Sequence, residues 1–152
     1  GRRFRCLNII DEGTREALGV VPDTSSPAAR VVRELEQIGF VRGLPQRIRI
    51  DNGPEMLAQV FTDWCEDNGI AFVYIQPGKP NQNAYMERFN RSYRTEVLNP
   101  YLFTSLSQVR DLSAAWLISY NEERPHNSLG RIPPAEFRRQ ITGEVSTFKL
   151  SA

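Results

Sequence analysis

Two lysines, two cysteines and a single histidine are all that 152 residues hold of those types, and each scarcity closes off a class of function. Cys6 and Cys65 sit inside apolar periodic segments, with no second cysteine or histidine at a metal-ligand spacing, so they read as buried free thiols. His126 alone cannot build a histidine-rich zinc site, so a bound metal has to be held by oxygen ligands. Long apolar runs are also missing. Leu18 to Val21 and Ile70 to Val73 are the longest and fall far short of a bilayer span, and no charged-then-apolar leader opens the sequence. The expectation is a soluble, cytoplasmic protein without a membrane partner. With only Lys79 and Lys149 as lysines, nearly all positive charge is arginine, although the net charge is just +1. The planar fork of arginine suits phosphate. An arginine-rich usage also follows from genome base composition, so the positions of the arginines have to decide.

What is present is ordinary globular material. A hydrophobic share of 40% with 24% charged residues excludes disorder, and the length suffices for one domain with a core that needs neither disulfide nor metal. Periodicity gives a coarse map. Phe4 to Ile10 reads as a buried strand, Asp11 to Arg15 as a turn, and Glu16 to Val21 as the returning strand of a hairpin. Ser26 caps a helix with Pro27 at its first position, and Val31, Leu35 and Ile38 share one face until Gly39 ends it. Arg47 to Ile50 is a short strand closed by Asp51. A second helix begins near Pro54, with Leu57, Val60, Phe61 and Trp64 on one face, and Asn68-Gly69 stops it. Ile70 to Ile75 is a further strand, followed by the breaker-rich loop Gln76 to Asn83. A third helix runs from Ala84 to Val97 with Met86, Phe89, Tyr93 and Val97 inward, and a fourth from Ser107 to Asn121. Trp64, Trp116, Phe89 and Tyr93 read as core at this spacing. The final ten residues carry no strong signal, so residues 1–140 read as one α/β unit and 141–152 as a loose tail.

Two acids attract attention by position. Asp51 lies at the carboxyl end of a strand, where open α/β sheets place their ligands, and Glu87 lies one turn into the helix after the loop. Between them stand 35 residues. Carboxylates distant in sequence can meet on one hard cation such as Mg²⁺, and two such ions stabilise the attacking and leaving oxygens of an in-line phosphoryl displacement. Taken singly, an Asp-Asn-Gly is an ordinary turn and a helix Glu an ordinary surface residue.

The wider pattern carries more. RIDNGPEM around Asp51 and PGKPNQNAYMERFNRSYRTEVLN around Glu87 resemble the second and third acids of the DDE motif in retroviral integrases and bacterial insertion-sequence transposases, a family known for this spacing. YNEERPHNSLGRIPPAEF, from Tyr120 to Phe137, is similar to the closing segment of the transposase branch. The resemblance implies a ribonuclease H-like fold, a mixed five-stranded sheet flanked by helices, in which three acids bind two Mg²⁺ or Mn²⁺ ions. It also implies the reaction: nicking at transposon ends and attack of the freed 3′ hydroxyl on target DNA, in a homo-oligomer assembled on DNA. No Ser-His or Cys-His nucleophile pair competes with that chemistry. A metal nuclease of the same fold and a non-catalytic DNA-binding or assembly module are the alternatives.

One departure from the family pattern matters. The opening GRRFRCLNIID resembles the turn and second strand of the family core, which places the first strand and its Asp upstream of Gly1 and makes the fragment inactive alone. Asp11 is not the substitute, because it matches the residue ending the second strand and suits an Asx cap of the hairpin. Loss of a central strand leaves two inner sheet edges unpaired, to be closed by direct pairing, by a segment of another chain, or by a rearranged or swapped dimer. DNA contact is expected on the third helix, where Glu87, Arg91 and Arg94 share a face with Asn83 one turn earlier, and at Lys79 in the loop. The plainer reading of Arg91 is an ion pair with Glu87. Asn121, Arg124 and His126 either support the active site or cap the fourth helix, a structural duty being preferred because Pro125 and Pro133 mark a constrained turn. Terminal-repeat recognition is expected to reside in an upstream domain.

Overall fold

A computed structural model of the chain describes residues 4–24, 27–50, 58–74, 84–141 and 147–151. Asp51, Lys79 and Asn83 lie outside these, as do the cap read at Ser26 and the helix start read at Pro54. The described residues form strands β1 (Arg5–Asp11) and β2 (Ala17–Asp23), helix α1 (Ala28–Arg42), strand β3 (Arg47–Ile50), helix α2 (Gln59–Asp67), strand β4 (Ala71–Tyr74), helices α3 (Ala84–Tyr93), α4 (Leu106–Glu122) and α5 (Pro134–Gln140), and strand β5 (Thr147–Ser151). A π-helical turn, Arg94–Leu98, continues α3.

One mixed sheet in the order β2-β1-β5-β3-β4 joins all five strands. β1 pairs antiparallel with β2 and with β5, whereas β3 pairs parallel with β5 and β4. The two faces of the sheet are separately filled. Leu7, Ile9, Ile48, Ile50, Phe148 and Leu150 pack with Val31 and Leu35 of α1 and Phe61 and Cys65 of α2. Ile10 and Ala17 pack on the other face with Met86 and Phe89 of α3 and Tyr120 of α4. Alternation along each strand sends neighbouring residues to these opposite layers, so the helices form the outer leaves of a three-layer sandwich.

Three expectations are corrected. The segment read as a loose tail contains β5, which is buried along its whole length and forms the centre of the sheet. The gap between the hairpin and β3 is thus closed by the chain's own C-terminal segment, by none of the three routes anticipated from the sequence. Its alternation is the physical reason: Phe148 and Leu150 turn one way into the first core, with relative exposures of 1% and 0%. Two strands, not three, precede residue 26 among the described residues, as expected. Gly39 does not end α1. It sits inside the helix where a Cβ would meet Leu44 Cδ2 at 2.4 Å, so its lack of a side chain serves the returning chain. The helix ends four residues later at Gly43, whose φ of +88° is open to glycine at no steric cost. α5 was not anticipated, its short span being hidden behind Pro133 and Pro134.

Asp11 performs the role assigned to it. Its Oδ1 accepts from the backbone N–H of Gly13 at 2.9 Å and of Thr14 at 3.3 Å, an Asx turn, and its Oδ2 receives Arg42 from the end of α1 at 3.1 Å. Glu16 also receives Arg42 and forms an ion pair with Arg138 of α5, Nε to Oε1 2.8 Å. Asn121 is structural too. Its Oδ1 accepts from Ala17 N–H and its Nδ2 donates to Ala17 O, both at 2.8 Å, beside the register shift between Ile9 and Ile10. Asn121→Leu is therefore expected to destabilise the fold by about 1–3 kcal/mol for each backbone group left unpaired, read as a shifted urea midpoint.

Candidate active site on helix α3

α3 is held in place by contacts along its inward face and at both ends. Met86, Phe89 and Tyr93 face inward, and Phe89 and Tyr93 each meet the Trp116 ring of α4 at 5.4 Å between centroids. Tyr93 Oη shares a hydrogen bond of 2.5 Å with Ser113 Oγ inside the protein, and burial raises the Tyr93 phenol above its ordinary range. Asn90 Oδ1 accepts from Asn8 Nδ2 of β1 at 2.7 Å. At the first turn, Tyr85 Oη donates to Glu12 Oε1 at 2.6 Å, and the same carboxylate oxygen receives Arg49 Nε of β3 at 2.8 Å. Glu12 consequently ties the β1–β2 turn, β3 and the start of α3 into one unit. Burial and the neighbouring Glu12 carboxylate push the Tyr85 phenol far above its usual value, so it stays protonated and keeps donating. Glu12 was missed in the sequence, where a lone acid in a turn looks like any solvated residue.

With its inward face fixed, α3 exposes Glu87 and Arg91. Among the described residues neither side chain enters a hydrogen bond or an ion pair, so the plain reading of Arg91 as the partner of Glu87 is not realised. An exposed carboxylate without a partner among the described residues, on a helix that also exposes Arg91 and Arg94, suits an oxygen-ligand metal site next to a phosphate. Arg94 lies on the rim of a cleft of about 350 Å³ that is also lined by Arg5, Cys6, Asn8, Asn90 and Ser151. That cleft opens at the carboxyl end of β5, where Leu150 pairs with Ile50, the last described residue before Asp51. Burial holds the Cys6 thiol above its ordinary pKa, an inert donor toward Tyr93 Oη.

The central strand carries no acid. Lys149 pairs with Ile10 on one side and Arg49 on the other, so it lies on the α3 face of the sheet, fully buried. Among the described residues no three His, Cys, Asp or Glu side chains gather at metal-binding distance. Of the two acids singled out in the sequence, Glu87 is the one among the described residues, and its carboxylate is an oxygen donor of the kind that Mg²⁺ or Mn²⁺ takes. Arg124, expected to be structural, pairs with Glu96 from the π-helical turn and lies over the Trp116 and Tyr120 rings at 5.7 and 5.5 Å. Arg124 holds the Glu96 carboxyl below its usual pKa, so this pair's contribution is present at neutral pH and is lost as pH falls through the lowered value. Among the described residues no helix is long and apolar enough to cross a membrane.

Comparison with known proteins identifies the family and the fold. Residues 1–80 and residues 68–134 both match the integrase core domain family. The chain is 48% identical over 136 residues to an insertion element IS476 protein of Xanthomonas euvesicatoria, covering 90% of this chain and 39% of that protein. It is 42% identical over 137 residues to an insertion element IS407 protein of Burkholderia multivorans, covering 90% of this chain and 50% of that one. Among solved structures, the trimeric form of the HTLV-2 integrase catalytic core domain in complex with magnesium superposes with a TM-score of 0.68 at 16% identity, over 89% of this chain and 91% of that chain. The chain belongs to the integrase core family, the DDE transposase and integrase group with a ribonuclease H-like fold. It spans half or less of the length of the two insertion-element relatives.

Proposed function

We propose that this core serves DNA transposition as part of a metal-dependent polynucleotidyl transferase, with Asp51 and Glu87 as two of its metal-holding acids. The observation that carries the reading is the exposed Glu87 carboxylate, without a partner among the described residues, on a helix braced to the sheet by Glu12 and Asn8. Two Mg²⁺ or Mn²⁺ ions held by these acids would supply charge stabilisation for an in-line phosphoryl displacement. The chain's own side chains do the rest. Arg91 and Arg94, with Lys79 and Asn83 from the preceding segment, donate to phosphate oxygens and hold the DNA strand against α3, giving affinity and orientation without sequence choice. A homo-oligomer on DNA brings two ends together.

Because the central strand carries no acid among its residues while the family resemblance calls for a third one, the chain by itself is expected to bind duplex DNA without joining it. In a protein of the relatives' full length, incubation with end-mimicking duplex oligonucleotides and Mn²⁺ is expected to give joined products. Cleavage without joining would instead identify a nuclease, and binding alone an assembly module.

A further inference from the structure

A second polar cluster lies on the other flank of α3. Tyr85 and Arg88, three residues apart on α3, reach toward the turn that follows α4. There a small cavity of about 30 Å³ is lined by Arg15, Tyr85, Arg88, Tyr120, His126 and Ser128. Its volume is that of one water molecule, or of a single phosphoryl oxygen. Three separate segments build it, and each is fixed. Arg15 holds φ at +63° in the β1–β2 turn, donates to Glu12 O and stacks its guanidinium 4.2 Å from the Tyr85 ring centre. His126 is held by its N–H to Ile132 O at 3.1 Å and by a T-shaped contact with Tyr120 at 5.0 Å. Arg88 comes from α3.

The balance of charge in this cluster is one-sided. No carboxylate lines the cavity, neither Arg15 nor Arg88 pairs with an acid among the described residues, and Arg88 is exposed. The Nε2 atom of His126 is buried without a hydrogen-bond partner. A buried polar atom left unmade costs free energy unless a ligand or water satisfies it, and two guanidinium groups beside it with no carboxylate partner among the described residues favour an anion. Burial first, then Arg124, Arg15 and Arg88, lowers the His126 pKa, so its ring is neutral and carries one N–H.

We propose that Arg15, Arg88 and His126 form a phosphodiester-binding site for a DNA strand. One non-bridging oxygen enters the cavity to accept from His126 Nε2–H, while Arg15 and Arg88 donate to the exposed oxygens and Ser128 closes the lip. The proposal rests on the DNA-joining role above and extends it, giving α3 a phosphate contact on each flank, so that the helix straddles the backbone next to Glu87.

His126 is the chain's only histidine, so its ring Cε1–H gives one resolved NMR signal. Titrating the chain with a short duplex oligonucleotide is expected to shift that signal, and inorganic phosphate at matched ionic strength is not. Arg88→Ala is expected to abolish the shift and to reduce the slope of log K against log salt by about 0.9, one phosphate contact. Arg33→Ala, an exposed arginine on α1, leaves both unchanged. Duplex that binds by fluorescence anisotropy without moving the His126 signal, or an unchanged salt slope in Arg88→Ala with a wild-type melting curve, overturns this site while leaving the DNA role intact. An equal shift with inorganic phosphate overturns it in favour of a free-phosphate site. No binding of duplex by the wild-type chain overturns the DNA role itself.

Discussion

Ending the chain at Ile141 is expected to abolish cooperative folding. Among the described residues β5 is the only strand that joins the β1–β2 hairpin to the β3–β4 pair, so its removal leaves a row of N–H and C=O groups unpaired along the inner edges of β1 and β3. It also strips Phe148 and Leu150 from a core whose other strand members are Leu7, Ile9, Ile48 and Ile50. The single substitution Leu150→Ala measures the second effect alone and is expected to cost about 2–5 kcal/mol by urea denaturation. That is a large share of the roughly 5–15 kcal/mol available to a domain. A truncated chain that melts with the same midpoint and the same denaturant slope as the full one would show that β1 and β3 pair directly.

The second large effect concerns chemistry and spares the fold. Glu87 is exposed and unpartnered, so Glu87→Gln removes a charge at almost no cost in packing. In a full-length protein, strand joining is expected to fall by more than about 100-fold, since loss even of a residue supporting a metal ligand costs about 10–100-fold. DNA binding in the absence of metal is expected to hold or strengthen, because an acid has been withdrawn from a phosphate-facing surface. Arg91→Gln behaves in the opposite sense, weakening binding and its salt dependence with a smaller effect on turnover at saturating DNA. A Glu87→Gln enzyme that joins ends at the wild-type rate would remove Glu87 from the reaction.

Much of this was legible in the residues, and the parts that were not share a cause. Helix α3 was readable because Met86, Phe89 and Tyr93 repeat at helical spacing and leave Glu87 and Arg91 outward, a local property of the sequence. Asp11 was readable as a turn acid for the same reason, its partners Gly13 and Thr14 being two and three residues away. β5 was not. Five residues with a lysine in the middle give too little period to detect, and what makes them a strand is pairing with Asn8 to Asp11 and with Arg47 to Ile50, far away in the chain. Gly39 misled because its role depends on Leu44 folding back across the helix, and Glu12 was silent because its partners Arg49 and Tyr85 come from other elements. Neither hydrophobic pattern nor turn chemistry records a long-range partner.

Mn²⁺ titrated into the chain and into Asp51→Asn, Glu87→Gln and the double variant, with affinity read by electron paramagnetic resonance, tests most directly whether the strand-end acid and the helix acid share a cation. Ligands of one ion are coupled, so each single change should weaken binding nearly as much as both together. Independent losses that simply add, or tight Mn²⁺ binding that survives in the double variant, would place the metal elsewhere and leave Asp51 and Glu87 as ordinary surface acids.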